Sequence, residues 1–264
     1  MQTMTRSLAS RLVSVQSFLL VAALLFFAIP SFATTEQVFE RTYPLQAGGH
    51  FVLDNVNGSV QVEGWDRDEV EVTAVKTSQN DPHDVERVKI EVDSRPCVVS
   101  VHTKYPDGEG AEVAVEYHIH VPFSALLGSV HTVNGSLIVK GVKGGGDLRS
   151  VNGDVEVFES SGRFNAKTTN GNLRLELRQL GDGAAPMNLE TVNGSVELGL
   201  PWDARADLNV RNMNGDLYSE VPVTSTVALP GSRAFHGHLG HGGGPISVRT
   251  VNGGIRLLLE HPGV

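Results

Sequence analysis

LRSVNGDVEV (148–157) decides how this chain is read, because six other stretches repeat its pattern: LDNVNGSVQV (53–62), VHTVNGSLIV (130–139), AKTTNGNLRL (166–175), LETVNGSVEL (189–198), VRNMNGDLYS (210–219) and VRTVNGGIRL (248–257). The asparagines of the Asn-Gly pairs are 57, 134, 152, 170, 193, 214 and 252, at steps of 77, 18, 18, 23, 21 and 38 residues. A fixed pattern at short steps marks a repeat architecture. Four residues before each Asn stand Leu53, Val130, Leu148, Ala166, Leu189, Val210 and Val248, all apolar. Three before stand Asp54, His131, Arg149, Lys167, Glu190, Arg211 and Arg249, all polar. Three after come Val60, Leu137, Val155, Leu173, Val196, Leu217 and Ile255. Alternation of period two on both sides of a turn makes each copy two short strands with one apolar face. Asn and Gly tolerate left-handed backbone angles, so the pair is expected to form the corner.

Two all-β folds fit. The one favoured by the identical columns is a β-solenoid, parallel β-helix-like, in which like residues stack about 4.8 Å apart. The Asn column and the Thr-rich column two residues before it then become hydrogen-bonded ladders. Glu156, Arg174 and Glu197 would alternate in charge on successive coils. The alternative is a meander with a β-hairpin at every Asn-Gly. Within the 77-residue step, 69–77, 87–94, 97–105 and 111–122 alternate as four longer strands, expected to be antiparallel and to cap the solenoid, since open coil ends expose unpaired strand edges. Residues 81–86 read as a helical turn or a loop. The 38-residue step reads as about two coils, its middle a degenerate coil with an extruded Gly/His loop.

Residues 12–30, LVSVQSFLLVAALLFFAIP, follow Arg6 and Arg11 and precede Ser31-Phe32-Ala33. This is the pattern of a secretory signal peptide. The run is borderline for a permanent span, but the Pro30 break and the small-x-small exit favour cleavage. The expected organisation is a signal peptide at 1–33, an N-terminal β cap including the first Asn-Gly unit at 34–122, and solenoid repeats at 123–264. The product is expected to be exported, to the periplasm, the cell surface or the medium, with no stable membrane span after cleavage.

The chain carries 21 Lys+Arg against 30 Asp+Glu, a net charge of −9; without Arg6 and Arg11 the balance is 19 against 30, or −11. That argues against nucleic acid as partner, because affinity for phosphate backbones comes from clustered Lys and Arg. A single cysteine, Cys97, excludes a disulfide scaffold and a Cys-based zinc site. Lying in the apolar run CVVSV, it is expected in the core.

The TVNGxΦxΦ unit (Φ apolar), the segment NVNGSVQVEGWDRDEVEVTA and the closing GGGPISVRTVNGGIRL resemble the bacterial β-strand-repeat putative-adhesin family, a cell-envelope domain of unknown function. The resemblance spans residues 45–260. It implies a solenoid-like fold, export and an adhesive or scaffolding role, and it implies no catalytic residues. Thr169 and Met213 depart from its usual Val before Asn-Gly.

Several residue groups were weighed as sites. His236, His238 and His241 lie within six residues of one another, but their glycine-rich flanks hold no rigid ligand geometry. His118 and His120 share one strand face, and His102 on a neighbouring strand could join them. The triplets Gly144-Gly145-Gly146 and Gly242-Gly243-Gly244 lack the Lys-Ser/Thr context of a phosphate loop and read as corners. Ser160-Ser161-Gly162 has no His or Asp partner. Asp147, Asp154, Glu156, Glu159, Glu190, Glu197 and Asp216 would supply a glycosidase pair only beside a cleft. Arg149, Lys167, Arg211 and Arg249, interrupted by Glu190, form an outward basic column suited to acidic glycans. No catalytic, cofactor or metal site is assigned. The expected protein is a non-enzymatic, adhesin-like binding module for polysaccharide or envelope proteins. A periplasmic structural or stress-associated scaffold, open to homo-oligomerisation, is the second reading, and a β-helix carbohydrate-active enzyme the third.

Overall fold

The computed structural model describes residues 35–79, 81–106, 111–181, 184–222, 224–227 and 234–260. The leader and the chain terminus lie outside them. The first elements are β1 (Thr35–Pro44), β2 (His50–Asp54), β3 (Val60–Trp65), β4 (Glu69–Ser78), α1 (Asp84–Arg87), β5 (Lys89–Arg95), β6 (Val98–Lys104) and β7 (Val113–Pro122). The repeats continue as β8 (Leu126–His131), β9 (Leu137–Lys140), β10 (Gly146–Arg149), β11 (Val155–Ser161), β12 (Phe164–Lys167), β13 (Leu173–Gln179), β14 (Met187–Asn193) and β15 (Val196–Pro201). The last are β16 (Ala206–Asn214), β17 (Leu217–Ser219), β18 (Thr224–Val227), β19 (Ala234–Leu239), β20 (Pro245–Asn252) and β21 (Ile255–Glu260).

These strands form two mixed sheets. Sheet I runs β1-β4-β7-β3-β9-β11-β13-β15-β21-β17, and sheet II runs β18-β19-β16-β20-β14-β12-β10-β8-β2-β6-β5. In every Asn-Gly unit the strand before the corner belongs to sheet II and the strand after it to sheet I. No Asn-Gly pair therefore closes a hairpin. Neighbouring units pair in parallel and in register, as in Val155↔Leu173, Glu156↔Arg174 and Val157↔Leu175. The apolar columns of both sheets are buried, Leu53, Leu137, Val139, Leu148, Val155 and Val248 completely so.

The corner chemistry differs from the expectation of left-handed asparagines. Glu159 is the only non-glycine residue with positive φ among the described residues. Asn occupies the corner for its side chain. Asn134, Asn152, Asn170, Asn193 and Asn252 each donate from Nδ2 to the Oδ1 of the asparagine in the adjoining unit at 2.8 Å, and Asn214 does so at 3.0 Å. Glycine is needed for a close approach: a Cβ on Gly171 would overlap the carbonyl of Gly153 in the next unit. That same Gly153 carbonyl accepts the buried Thr168 hydroxyl at 2.9 Å.

The stack does not follow chain order. The unit of Asn252 lies between those of Asn193 and Asn214. The 38-residue step is thus not a degenerate coil. It holds β18 and β19, which extend sheet II antiparallel beyond β16, before the chain turns back and inserts β20 and β21. The insertion brings Arg256 against Glu197 at 3.8 Å, on the opposite side from Arg174 at 3.4 Å. The outward column therefore reads Glu156, Arg174, Glu197, Arg256 without interruption.

At the other end the sheets close with antiparallel pairs, β1 with β4 and β4 with β7 in sheet I, and β5 with β6 in sheet II. β1, unassigned from the sequence, forms the sheet I edge. Here Asn55 takes the place of Thr and donates to the Val115 carbonyl at 3.0 Å. Thr103 donates to Asn55 Oδ1 at 3.0 Å, so the Tyr117 hydroxyl, 2.7 Å from Thr103 Oγ1, is the donor of their shared bond. Burial pushes the Tyr117 phenol up to about 12, opposed by the Thr103 hydrogen bond and assisted by Tyr105. Cys97, expected in the core, is exposed in the turn that joins β5 to β6 at the sheet II edge, 3.5 Å from Gln46 Oε1.

Val155→Asp would bury a carboxylate in the middle of a column and unfold the stack, whereas Glu156→Gln would change stability by no more than about 0.5 kcal/mol; thermal melting of both variants checks the column assignment. The folded-state pKa of Tyr117 lies above its unfolded value of 10.0. The stability it supplies is thus complete below pH 10 and lost as pH rises towards 12, by roughly 2–3 kcal/mol. Tyr117→Phe is expected to remove that part of the alkaline decline in a melting series from pH 8 to 12.

Candidate functional site

The outward face of sheet II carries the column three residues before each Asn. Its spatial order is Asp54, His131, Arg149, Lys167, Glu190, Arg249, Arg211. Chain order would place Arg211 beside Glu190; the inserted unit places Arg249 there instead. Asp54 and His131 pair at 3.0 Å, and Lys167 and Glu190 at 3.2 Å. Arg149, Arg211 and Arg249 are exposed and make no ion pair among the described residues. The column two residues further back adds hydrogen-bonding groups: Asn165 Nδ2 donates to Asp147 Oδ1 at 2.9 Å, and the Asn188 amide donates to Asn165 Oδ1 at 2.9 Å. Glu190, Arg211 and Arg249, with Asn188, Asn209 and Ser247, line a shallow groove of about 330 Å³. The Asn209 Oδ1 there is buried without a hydrogen-bond donor. Cationic forks beside amides, repeated at strand spacing, suit an extended anionic or polar ligand.

The histidines fall into three separate places. His238 faces Asp207 across the β16–β19 pair at 2.7 Å, and the Gly243 amide donates to the same carboxylate oxygen at 3.3 Å. The His238 hydrogen bond holds the Asp207 carboxyl below its ordinary value. His236 stands opposite Asn209, and His241 lies in the turn beyond. His120 is flanked by Glu71 at 3.3 Å and Glu63 at 3.7 Å and stacks on Trp65 with ring centroids 5.0 Å apart. His102 does not join it, because β6 belongs to sheet II, where His102 faces Asp54 and Glu91. Among the described residues no three His, Cys, Asp or Glu side chains are grouped to hold a metal ion.

The remaining candidates have structural duties. Ser160 is buried, donates to the Phe158 carbonyl at 2.8 Å and accepts from the Val142 amide at 3.2 Å. Asp154 accepts the Asn172 amide at 2.6 Å, and Glu159 meets Arg178 at 3.6 Å. Gly144-Gly145-Gly146 lies where the chain returns from β9 in sheet I to β10 in sheet II, and Gly242-Gly243-Gly244 lies in the turn between β19 and β20 within sheet II, with Gly145 and Gly242 at φ of 77° and 80°. The repeat columns do not reveal that four sheet I to sheet II returns and the β19–β20 turn border a cavity of about 730 Å³, lined by Lys143, Arg163, Arg205, Asp203 and Gln179 among others. The repeat pattern carries no signal for it, because the returns are where the copies differ.

A stack of in-register parallel units between two mixed sheets places the chain among repeat proteins whose surfaces are ruled by columns. It matches the Toastrack DUF4097 family over residues 123–258 and belongs to that family. No curated protein sequence matches the chain. Solved structures that align with the chain include a "putative cell adhesion protein" from Clostridium sporogenes, 12% identical, covering 85% of this chain and all of that one, with a TM-score of 0.47. Others are a "putative adhesin" from Bacteroides fragilis, 9% identical, covering 85% and 97%, TM-score 0.36, and one from Parabacteroides distasonis, 14% identical, covering 84% and 97%, TM-score 0.28.

Asp207 ties the 240–243 turn to β16 by the Gly243 amide. Asp207→Ala is expected to raise the exchange rate of the Gly243 amide roughly tenfold or more, without altering protection at Val210 or Val248. Hydrogen exchange read by NMR checks it.

Proposed function

We propose that this chain is an exported, non-enzymatic cell-envelope protein, and that its Asn-Gly stack is a two-sheet β-solenoid with an antiparallel N-terminal cap. It works as an adhesin-like binding module whose rigid sheet II face contacts a glycan or an envelope protein through repeated weak contacts. The observation that carries this reading is that Arg149, Arg211 and Arg249 lie exposed in one column of sheet II, without an ion pair among the described residues, on a chain with a net charge of −9. Cations left without carboxylates on an acidic protein offer local attraction where the overall field repels anions. Columns rooted in a buried, in-register core hold those side chains at fixed spacing, so little ordering is needed on binding. The apolar leader at 12–30 supports export. No helix among the described residues is long and apolar enough to cross a membrane.

A scaffold assembled end to end is the second reading. It is supported by the terminal unit, where Met213 and Tyr218 are exposed beside the short edge strand β17. Sedimentation velocity of the mature protein across a hundredfold concentration range distinguishes it: a rising mass favours assembly, a constant one the binding module.

Sedimentation of the mature protein with isolated cell-envelope fragments tests the binding reading. The triple variant Arg149→Gln, Arg211→Gln, Arg249→Gln is expected to lose about tenfold or more of that association, with unchanged melting. Equal association of variant and parent would overturn the assignment to this face. Protease digestion of tagged protein in intact and in permeabilised cells separates surface display from the periplasm.

A further inference from the structure

The cavity at the return corners lies on the opposite edge of the stack from the Asn ladder, and no part of the sheet II reading enters the argument for it. Each return joins a sheet I strand to the next sheet II strand. Lys143 lies between β9 and β10, Arg163 between β11 and β12, and Asp203 and Arg205 between β15 and β16. Three cations and one carboxylate therefore face a cavity of about 730 Å³. Neither Lys143, Arg163 nor Arg205 has an ion-pair partner among the described residues; Lys143 rests over the Phe123 ring at 4.9 Å.

Arg163 is the most informative of the three. Its Nε and Nη1 are buried and have no hydrogen-bond acceptor. Its guanidinium lies against Gly244, where a Cβ would come within 2.5 to 2.9 Å of it. Burial lowers its affinity for its proton. Two buried donors without an acceptor are costly, and the part of the guanidinium that faces the cavity can meet an oxyanion there.

The spacing points to a chain rather than a single ion. Lys143 and Arg163 stand just before β10 and β12, which adjoin in sheet II, and Arg205 stands just before β16, three strands beyond β12 because β14 and β20 intervene. At strand spacing that separates Lys143 from Arg163 by about 5 Å and Arg163 from Arg205 by about 14 Å along the stack. Trp202, between the lining residues Pro201 and Asp203, is 71% exposed. Trp202 is not itself a lining residue, but its chain neighbours on both sides are, so its emission serves as a reporter of the cavity.

We infer that this cavity is a binding site for a short segment of an acidic polysaccharide, with Lys143, Arg163 and Arg205 receiving carboxylate or sulfate groups spaced along it. Binding is weakened by salt, because it rests on oppositely charged groups at a partly open surface.

The test uses the full mature protein and the emission of its two tryptophans, Trp65 and Trp202. Trp202→Phe assigns the signal. Probes are a galacturonate hexasaccharide, its uncharged methyl ester, a sulfated hexasaccharide of heparin type, inorganic phosphate, and vesicles of phosphatidylglycerol in phosphatidylcholine. Saturable binding of an acidic hexasaccharide is expected, at least about tenfold tighter than the methyl ester or phosphate. Arg163→Gln and Arg205→Gln are each expected to weaken it roughly tenfold, Arg163→Lys less, with melting unchanged. Arg211→Gln and Arg249→Gln, on sheet II, are expected to leave it alone. Binding that survives both cavity variants, or that is lost only with the sheet II variants, overturns the site. So does failure of both acidic hexasaccharides to bind, and so does binding confined to phosphate or to the vesicles. Loss of envelope association in the sheet II triple variant, with hexasaccharide binding intact, would show two separate surfaces.

Discussion

The contact on which this protein rests is the approach of one glycine backbone to the carbonyl of the next at the Asn-Gly corner. Gly135, Gly153, Gly171 and Gly194 each sit where a Cβ would strike the neighbouring unit's glycine carbonyl. That proximity lets two hydrogen-bond chains run side by side with opposite polarity. Side-chain amides donate towards the Asn57 end, from Asn134 to Asn57 and so on, while Gly58, Gly135 and Gly153 amides donate the other way, to the carbonyls of Asn134, Asn152 and Asn170. Each bond is worth only about 1 kcal/mol net. Their effect is to fix register: a slip by one residue would break both chains and turn the apolar columns to water.

The ends of the stack show what the interior requires. Inside, Thr132, Ser150, Thr168, Thr191 and Thr250 each donate a hydroxyl to a neighbouring glycine carbonyl. Both terminal units carry asparagine instead. Asn55 reaches the Val115 carbonyl of the cap, and Asn212 turns within its own unit to the Asp216 carbonyl at 3.2 Å. A longer side chain with both donor and acceptor suits a position whose neighbour is not another repeat. The terminal unit also drops its inner apolar residue, with exposed Ser219 where the others have Val or Leu, and shortens β17 to three residues. Short, polar edges resist further strand addition.

The core leaves two surfaces free, the outward face of sheet II and the return corners. The sheet II face is regular, so its properties follow from columns: amides, arginines and one acidic interruption. The return corners are irregular, because nothing in the stacking requires the returns to be alike. Four of them, with the β19–β20 turn, border a cavity of about 730 Å³. This division is a natural consequence of repeat architecture, in which shared residues hold the scaffold and variable ones meet partners.

Much of the fold was legible in the seven copies. The alternation around Val155 and Val157 matches which side chains are buried, and the Asn column forms the expected ladder, whereas the Thr column bonds to glycine carbonyls of the adjoining unit rather than along itself. The charge sequence Glu156, Arg174, Glu197 predicted pairing between units. Residues 69–122 were read correctly as longer strands with antiparallel pairing, although β7 and β6 also join the repeats in parallel. The reasons for some residues were misread: asparagine was credited with a backbone conformation it does not adopt, and Cys97 was placed in a core that its hairpin end never enters. The candidate site was legible only in part. The basic column is written in the repeats, but the cavity needs Lys143, Arg163 and Arg205 brought together from segments up to 62 positions apart.

The sequence by itself determined the unit, since side-chain period and glycine placement are local properties of ten residues. Tertiary structure alone decided the order of the units. All seven share the same ladder chemistry, so any could in principle follow any other. What places the Asn252 unit inside and the Asn214 unit outside is compatibility with neighbours across the stack. Thr250, Leu257 and Arg256 complete the threonine, leucine and alternating-charge columns, and Asn212, Ser219 and Tyr218 cannot. That choice depends on contacts between residues 59 positions apart, as between Asn193 and Asn252, and no local pattern encodes it.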